Sequence, residues 1–209
     1  MSKPHYNFKH KKQIKKILND TKLSIDDTNV WYKDNHIYFT TKVCDESITK
    51  LINIINKKNE EFETLLKNEL IESANPNNLF LHICSYGGGV NACFRGIDAI
   101  MRSKIPIYTI VDGYACSAGS MLAVSGKKRY MCPNSYVLIH QLSSTGPVGT
   151  FWKIKDKYTN VVQHMDDIYN LYLNNSKLNK QQLEEFMSHD LYWKTDKCIE
   201  YGLVDEVYT

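Results

Sequence analysis

Between residues 79 and 175 the sequence pairs short apolar runs with longer segments of helical periodicity, and this alternation constrains the fold most. The apolar runs are residues 79–84, 107–111 and 136–139. A short apolar strand followed by a helix is typical of parallel strands that are joined by crossover helices. The pattern therefore predicts an α/β protein in which repeated strand-helix units share one sheet.

The helical segments between these strands differ in length and composition. Gly113 is predicted to end the second strand, and a helix of small residues is predicted from about Cys116 to Ser125. The longest helix is predicted from about Thr150 to Asn174, with an inward face that includes Ile154 and Tyr158. Shorter predicted elements are strands at 30–32, 36–40 and 203–207, and helices at 48–70, 179–188 and 195–201.

The chain divides into a short N-terminal appendage and one main domain. Residues 1–27 are rich in lysine and carry Ile14, Ile17 and Leu18 at helical spacing, which predicts a short amphipathic helix. Residues 28–209 are predicted to form a single globular domain. The whole chain has 209 residues, of which 43% are hydrophobic, so it can bury one sizeable core.

Charge and cysteine usage exclude several classes of protein. The net charge of +3 is too small to indicate a nucleic-acid-binding protein. The six cysteines show no C-x-x-C pairing and no zinc-like grouping with histidines, so neither a metal site nor a disulfide framework is predicted. No apolar run has the length of a membrane span or the character of a secretion signal. We therefore expect a cytoplasmic protein without a bound metal, membrane or nucleic acid.

Ser117 is the first candidate for chemistry, because it stands at the start of a predicted helix of small residues. Small neighbours let a substrate backbone approach, and a helix N-terminus offers free N–H groups to an oxyanion. The segment from Gly113 to Gly119 resembles the G-x-S-x-G elbow only loosely, so tight packing of helix on sheet is an alternative explanation. Cys116 is a second candidate nucleophile, provided that its thiolate is favoured.

A run of three glycines, Gly87 to Gly89, follows the strand at residues 79–84. Glycines at such a turn let backbone N–H groups point into a cleft, where they bind an oxyanion or a phosphate. The loop lacks the Lys-Ser/Thr pair of a P-loop and the spacing of G-x-G-x-x-G, so a nucleotide site is not indicated. An oxyanion hole or a contact with a substrate strand fits this loop better.

Two further residues can complete a hydrolytic site. His140 follows the apolar run 136–139, at the end of a predicted parallel strand, where its imidazole can accept a serine proton and return it to a leaving amine. Asp190 follows a predicted helix, and a carboxylate there can orient that histidine. Both residues also suit ordinary structural roles, such as a capping aspartate, and the adjacent His189 is a competing titratable group.

The order and spacing of these segments resemble one family, the ClpP proteolytic subunits of the Clp protease. The resemblance spans about residues 37–207 and is specific at four places. Residues 85–90 are similar to the family's Ser-Pro-Gly-Gly segment, residues 113–119 to Gly-x-Ala-Ala-Ser-Met-Gly, residues 133–141 to Pro-Asn-Ser-x-x-x-Ile-His-Gln, and residues 189–190 with 200–205 to its closing aspartate and Glu-Tyr-Gly-Leu-Val-Asp ending.

The resemblance implies a role for each site residue. It implies that Ser117 is the nucleophile, that His140 is the general base and acid, and that Asp190 is the orienting carboxylate. It also implies that the N–H groups of Gly88 and Ala118 form the oxyanion hole. The expected activity is serine-type endopeptidase activity in the domain of residues 28–209.

The resemblance also implies an architecture and an assembly. The expected fold is the ClpP/crotonase fold, with residues 150–174 as a protruding handle helix and residues 146–149 as a substrate-lining strand. Family members stack two heptameric rings around a chamber, and the handle helix forms the ring-to-ring contact. A Clp-type unfoldase ATPase feeds unfolded proteins or peptides to that chamber, so ATP is used by the partner and this chain needs no cofactor.

The sequence departs from the family pattern in the glycine loop, in residues 57–76 and in the first residues, and three other functions stay open. Tyr86 replaces the usual proline, Gly89 replaces the usual apolar residue, and residues 57–76 form a longer segment that predicts an added surface helix or loop. The first residues do not resemble the family's axial-gate segment. The alternatives are a catalytically silent ring subunit, a crotonase-type acyl-CoA enzyme, and a peptidase with a Ser-Lys dyad.

Overall fold

The computed structural model describes residues 29–67, 78–146 and 148–209. Within these residues it contains one eight-stranded sheet and six helices, which confirms the predicted α/β class. The helix predicted within residues 1–27 and residues 68–76 of the longer segment lie outside the described residues. Residues 57–67 belong to the first described helix, which passes through the polar stretch at 57–61 without interruption.

The sheet is built mainly from parallel strands. Its main path has the order β1 (Val30–Lys33), β2 (His36–Phe39), β3 (Leu79–Ser85), β4 (Ile107–Cys116), β5 (Lys128–Met131) and β8 (Glu206–Val207), and β6 (Tyr136–Leu138) pairs with both β4 and β7 (Tyr192–Trp193). Only the pairs β1–β2 and β6–β7 are antiparallel among these strands. The loops that follow β2, β3, β4 and β6 therefore lie at one edge of the sheet.

Helices cover one face of this sheet and enclose the core. The six are α1 (Asp45–Lys67), α2 (Val90–Arg102), α3 (Ala118–Val124), α4 (Phe151–Asn175), α5 (Lys180–Met187) and α6 (Thr195–Glu200). Alternate residues of β3, namely Leu79, Leu81 and Ile83, are fully buried in one hydrophobic cluster with the apolar faces of α1, α2 and α3. This packing of helices on a strand agrees with the repeated strand-helix units that the sequence pattern predicts.

The second strand of the repeated pattern is longer than predicted. Gly113 was expected to end it, but β4 continues to Cys116, so that prediction is wrong. Gly113 has φ 100°, and the pairing of β3 with β4 passes from Ile83–Val111 to Ser85–Ala115, so β4 carries a bulge here. The bulge lets the strand bend and continue, and the helix begins at Ala118 instead of Cys116.

The long helix α4 is present, but its first half does not face this chain's core. Ile154 was predicted to point inward and is 38% exposed, whereas Tyr158 is 70% exposed, so that part of the prediction is wrong. Only Ile168, Leu171 and Tyr172 of α4 are buried. The periodicity reflects an apolar stripe that the described chain leaves uncovered. None of the described helices is long and apolar enough to cross a membrane.

A pair of imidazoles, one buried and one half-buried, lies on the face of the sheet opposite the helices. His82 of β3 is 6% exposed, and its Nε2 lies 2.9 Å from Nδ1 of His36 on the neighbouring strand β2. Tyr38 stacks on the His82 ring, and an Asp112 carboxylate oxygen lies 3.5 Å from His82 Nδ1. Burial and then the nearby His36 lower the pKa of His82, and Asp112 opposes the shift.

This lowered pKa predicts that acid destabilises the fold through His82. As the pH falls below about 6.5, the unfolded chain protonates this histidine more readily than the folded protein does, so the free energy of unfolding decreases. Urea unfolding at about pH 7.5 and about pH 5 measures the loss. We expect a smaller loss in His82→Phe and an unchanged loss in His189→Gln, which alters an exposed histidine. Equal losses in wild type and His82→Phe would contradict the prediction.

Candidate active site

The predicted site residues come from neighbouring strand ends at one edge of the sheet. The glycine loop follows β3, Ser117 follows β4, and His140 lies two residues beyond the end of β6. The backbone N–H of Ser117 donates a hydrogen bond of 2.9 Å to the carbonyl of Leu138, the last residue of β6. This bond ties the segment carrying Ser117 to the strand that leads to His140.

Ser117 has an unusual backbone conformation, with φ 54° and ψ −125°. A positive φ is costly for a residue with a side chain, about 1–3 kcal/mol, so the surrounding structure must impose it. The Ser117 carbonyl accepts hydrogen bonds from the backbone N–H groups of Ser120 and Met121 and from the Ser120 hydroxyl. These contacts place Ser117 as the N-terminal cap residue of α3, a helix whose seven residues are all buried.

Gly87 lies directly against this segment. A β-carbon at Gly87 would be 2.6 Å from the Cys116 carbonyl oxygen, 2.7 Å from the Ser117 β-carbon and 2.9 Å from the Ala118 nitrogen. Only glycine permits this approach, and Gly87 also has φ 94°. The glycine loop and the segment that carries Ser117 are therefore in contact.

Gly88 is held by a parallel bridge to Val43, in the loop after β2. The Val43 N–H donates to the Gly87 carbonyl at 2.9 Å, and the Gly89 N–H donates to the Val43 carbonyl at 2.8 Å. In a parallel bridge of this kind, the N–H of the middle residue, Gly88, points away from Val43. The Ala118 N–H is the first of α3 and has no acceptor within the helix. Both predicted oxyanion donors thus lie in adjoining segments.

His140 and Asp190 are brought together by the end of the chain. His140 Nδ1 lies 3.1 Å from an Asp190 carboxylate oxygen, and the two side chains are 26% and 79% exposed. Asp190 is in the connection between α5 and β7, and β7 pairs with β6, with Leu138 opposite Tyr192. A carboxylate beside Nδ1 leaves Nε2 of the imidazole available for proton transfer.

Ser117 and His140 are near the same strand ends but are not joined by a hydrogen bond. Among the described residues, the Ser117 hydroxyl has no hydrogen-bond partner. The structure therefore brings His140 to Asp190, and Gly87 to Ser117, without linking the hydroxyl to the imidazole. Such catalytic hydrogen bonds are often long without substrate and tighten in the substrate complex.

Comparison with known protein families identifies the family of this chain. The family model described as Clp protease matches residues 20–209. The chain belongs to the Clp protease family. The matched region includes the glycine loop, Ser117, His140 and Asp190, and the single sheet with six helices is consistent with the ClpP fold. Membership of the Clp protease family indicates a peptidase.

In this Clp protease family member, Cys116 is a poor alternative to Ser117. Its side chain is 4% exposed, and burial together with the nearby Cys84 raises the pKa of its thiol to about 11. The thiolate is the reactive form of cysteine, so Cys116 fails the condition on which it was a candidate. Within the described residues, no group of three or more histidine, cysteine, aspartate or glutamate side chains is placed to hold a metal ion.

Two supporting contacts of this Clp family site were not predicted from the sequence. The Ser120 hydroxyl donates to the Ser117 carbonyl and lies 2.7 Å from the Tyr172 hydroxyl, which connects α3 to α4 inside the core. Val43 fixes the glycine loop through its backbone alone. Tyr172 lies at helical spacing from Ile154 and Tyr158 in the predicted long helix, which was a usable signal for the first contact. The contact of Val43 with the glycine loop uses backbone atoms only, so no residue type in the sequence indicated it.

Proposed function

We propose that this chain is a serine endopeptidase that cleaves unfolded proteins to short peptides inside a ring-shaped assembly. The observation that carries the proposal is the strained conformation of Ser117 at the N-terminus of a buried helix, with Gly87 against it. A fold keeps a costly conformation where it serves a purpose, and here it presents a hydroxyl beside free backbone N–H groups. The His140–Asp190 pair at the same sheet edge supplies a base.

In the proposed reaction, the Ser117 hydroxyl oxygen attacks the carbonyl carbon of the scissile peptide bond. His140 accepts the hydroxyl proton at Nε2, and the Asp190 carboxylate stabilises the resulting imidazolium. The N–H groups of Gly88 and Ala118 stabilise the negative charge on the tetrahedral intermediate. His140 then donates its proton to the leaving amine, and a water molecule, activated by the same histidine, hydrolyses the acyl-enzyme.

The uncovered stripe on α4 supports the assembly part of the proposal. The exposed apolar side chains near or on its first half are Val148, Phe151, Trp152, Ile154, Tyr158 and Val162. A contiguous exposed apolar surface indicates an interface. We propose that α4 contacts a second ring, that the stacked rings are heptameric, and that a Clp-type unfoldase in the cytoplasm supplies substrate at the expense of its own ATP.

The activity is tested with a fluorescently labelled unfolded protein and the full-length chain. We expect release of short labelled peptides, and we expect a serine-directed fluorophosphonate to suppress it. A protein that assembles but releases no peptides, with or without an unfoldase, would instead support the catalytically silent ring subunit. Cleavage that resists the fluorophosphonate would contradict the proposed nucleophile.

The assembly is tested by native mass spectrometry. We expect wild type to have the mass of stacked rings, and we expect Tyr158→Asp to have about half that mass, because a charge in the stripe weakens the contact between rings. Asn160→Asp is the matched control, since Asn160 lies on the opposite side of α4. A monomeric wild-type protein, or equal masses for wild type and Tyr158→Asp, would contradict the assembly.

A further inference from the structure

An aromatic cage near the end of the chain encloses the ammonium group of Lys197. The Lys197 nitrogen on α6 lies 4.1 Å from the centre of the Trp193 ring, 5.0 Å from that of Phe186 and 5.9 Å from that of Tyr201. The rings also contact one another, with centroids 4.9 Å apart for Phe186 and Trp193. A cation within about 6 Å of an aromatic face is attracted by the ring.

Two of the rings that form the cage lie at the ends of the segment that carries Asp190. Phe186 lies in the last turn of α5, and Trp193 is the last residue of β7. These two residues therefore flank residues 187–192. The Met187 carbonyl accepts a hydrogen bond of 2.9 Å from the Gln141 N–H, next to His140. The contact between the two rings and Lys197 therefore closes a short loop against the strand extension that carries His140.

Asp190 itself has little else to hold it. Its side chain is 79% exposed, and its contact with His140 is its one side-chain partner among the described residues. The position of the carboxylate therefore depends on how firmly the two ends of its segment are fixed. Trp193 is 3% exposed, so it anchors the C-terminal end of the Asp190 segment in the core. Phe186, at the N-terminal end of the segment, contacts the same cage.

We propose that Lys197 is a positioning residue, which holds the Asp190 segment in place so that the carboxylate orients His140. This inference rests on the proposed function, in which Asp190 acts on His140. Lys197 does not touch the reacting atoms; its charge contributes by drawing Phe186 and Trp193 together.

The first test removes the charge and keeps the length of the side chain. Lys197→Met should lower kcat for peptide cleavage about 10-fold with little change in KM, because the site is misaligned while substrate binding is retained. Lys197→Arg should keep most of the activity, since a guanidinium also binds aromatic faces. Lys194→Met, which alters an exposed lysine three residues before Lys197, is the control for loss of a positive charge. Lys197→Gln repeats the test if the methionine variant folds poorly.

A double-mutant cycle separates positioning from a general effect on the fold. In an Asp190→Ala background, Lys197→Met should have no further effect on kcat, because the group that it positions is absent. A similar 10-fold loss in both backgrounds would overturn the inference and leave the proposed function intact. Unchanged activity of Asp190→Ala alone would overturn the proposed role of Asp190 and the inference together.

Discussion

Replacing Ser117 by alanine should lower kcat/KM for peptide cleavage by about 10,000-fold or more. In the proposed mechanism the variant loses the attacking oxygen, while the N–H groups of Gly88 and Ala118 can still polarise the carbonyl of the scissile bond. Because Ser117 is only half-buried and its carbonyl carries the helix contacts, the change should leave the unfolding temperature almost unaltered. Cleavage of a fluorogenic peptide by purified wild type and variant, with thermal unfolding of both, measures the two effects.

Two comparisons make this result specific. His140→Ala should lower the rate by several orders of magnitude without unfolding the protein, since the proposed base is lost and the proposed oxyanion donors remain. Cys116→Ala should keep most of the activity, because the buried thiol is protonated near neutral pH. Retained cleavage in Ser117→Ala, or loss of cleavage in Cys116→Ala alone, would show that the nucleophile is a different residue.

Replacing Gly88 by alanine should damage both the fold and the activity. The added β-carbon would lie 2.0 Å from the Val43 carbonyl oxygen, and Gly88 has φ 152°, which side chains rarely adopt. The loop must move, so the bridge to Val43 breaks and the Gly88 N–H leaves its position. We expect a fall in unfolding temperature of several degrees, and a loss of kcat of about 100-fold or more if this N–H is an oxyanion donor.

The same loop offers the matched control. A β-carbon at Gly89 would meet its nearest atoms at 3.8 and 3.9 Å, and the residue has φ −70°. Gly89→Ala should therefore leave the unfolding temperature close to that of wild type. Equal unfolding temperatures and equal rates for Gly88→Ala and wild type would contradict the geometry described for this loop.

The sequence predicted the parts of this fold that depend on periodicity and on strand order. Buried runs such as residues 79–84 and 107–111 allow only a few arrangements once helices follow them, and their common edge gathers Ser117 and His140. The contact of His140 with Asp190 was expected from resemblance to the family. From residue type alone, His189 was as plausible a functional residue of this segment as Asp190. Only the path of the chain between α5 and β7 shows that the Asp190 carboxylate is the group beside His140.

Other features depend on packing that periodicity does not encode. At Gly113 the backbone forms a bulge and stays in the sheet, so β4 continues beyond this residue. In the sequence, a glycine at this position indicates the end of a strand. The first half of α4 has an apolar stripe but no partner in the described chain, so inward and outward stripes look identical in sequence. Strand β5 was not predicted, because it begins with the charged residues Lys128 and Arg129 and shows no apolar run. Arg129 forms an ion pair with Asp205.

The nucleophile is identified most directly by locating the adduct of a fluorophosphonate probe by mass spectrometry. Wild type should carry one adduct, on the hydroxyl of Ser117. Among the serines of the described residues only this one has a positive φ, and it lies beside the two N–H groups that we propose as oxyanion donors. Ser117→Ala should take up no probe under the same conditions. An adduct on another residue, or labelling of Ser117→Ala at the wild-type rate, would show that Ser117 is not the nucleophile.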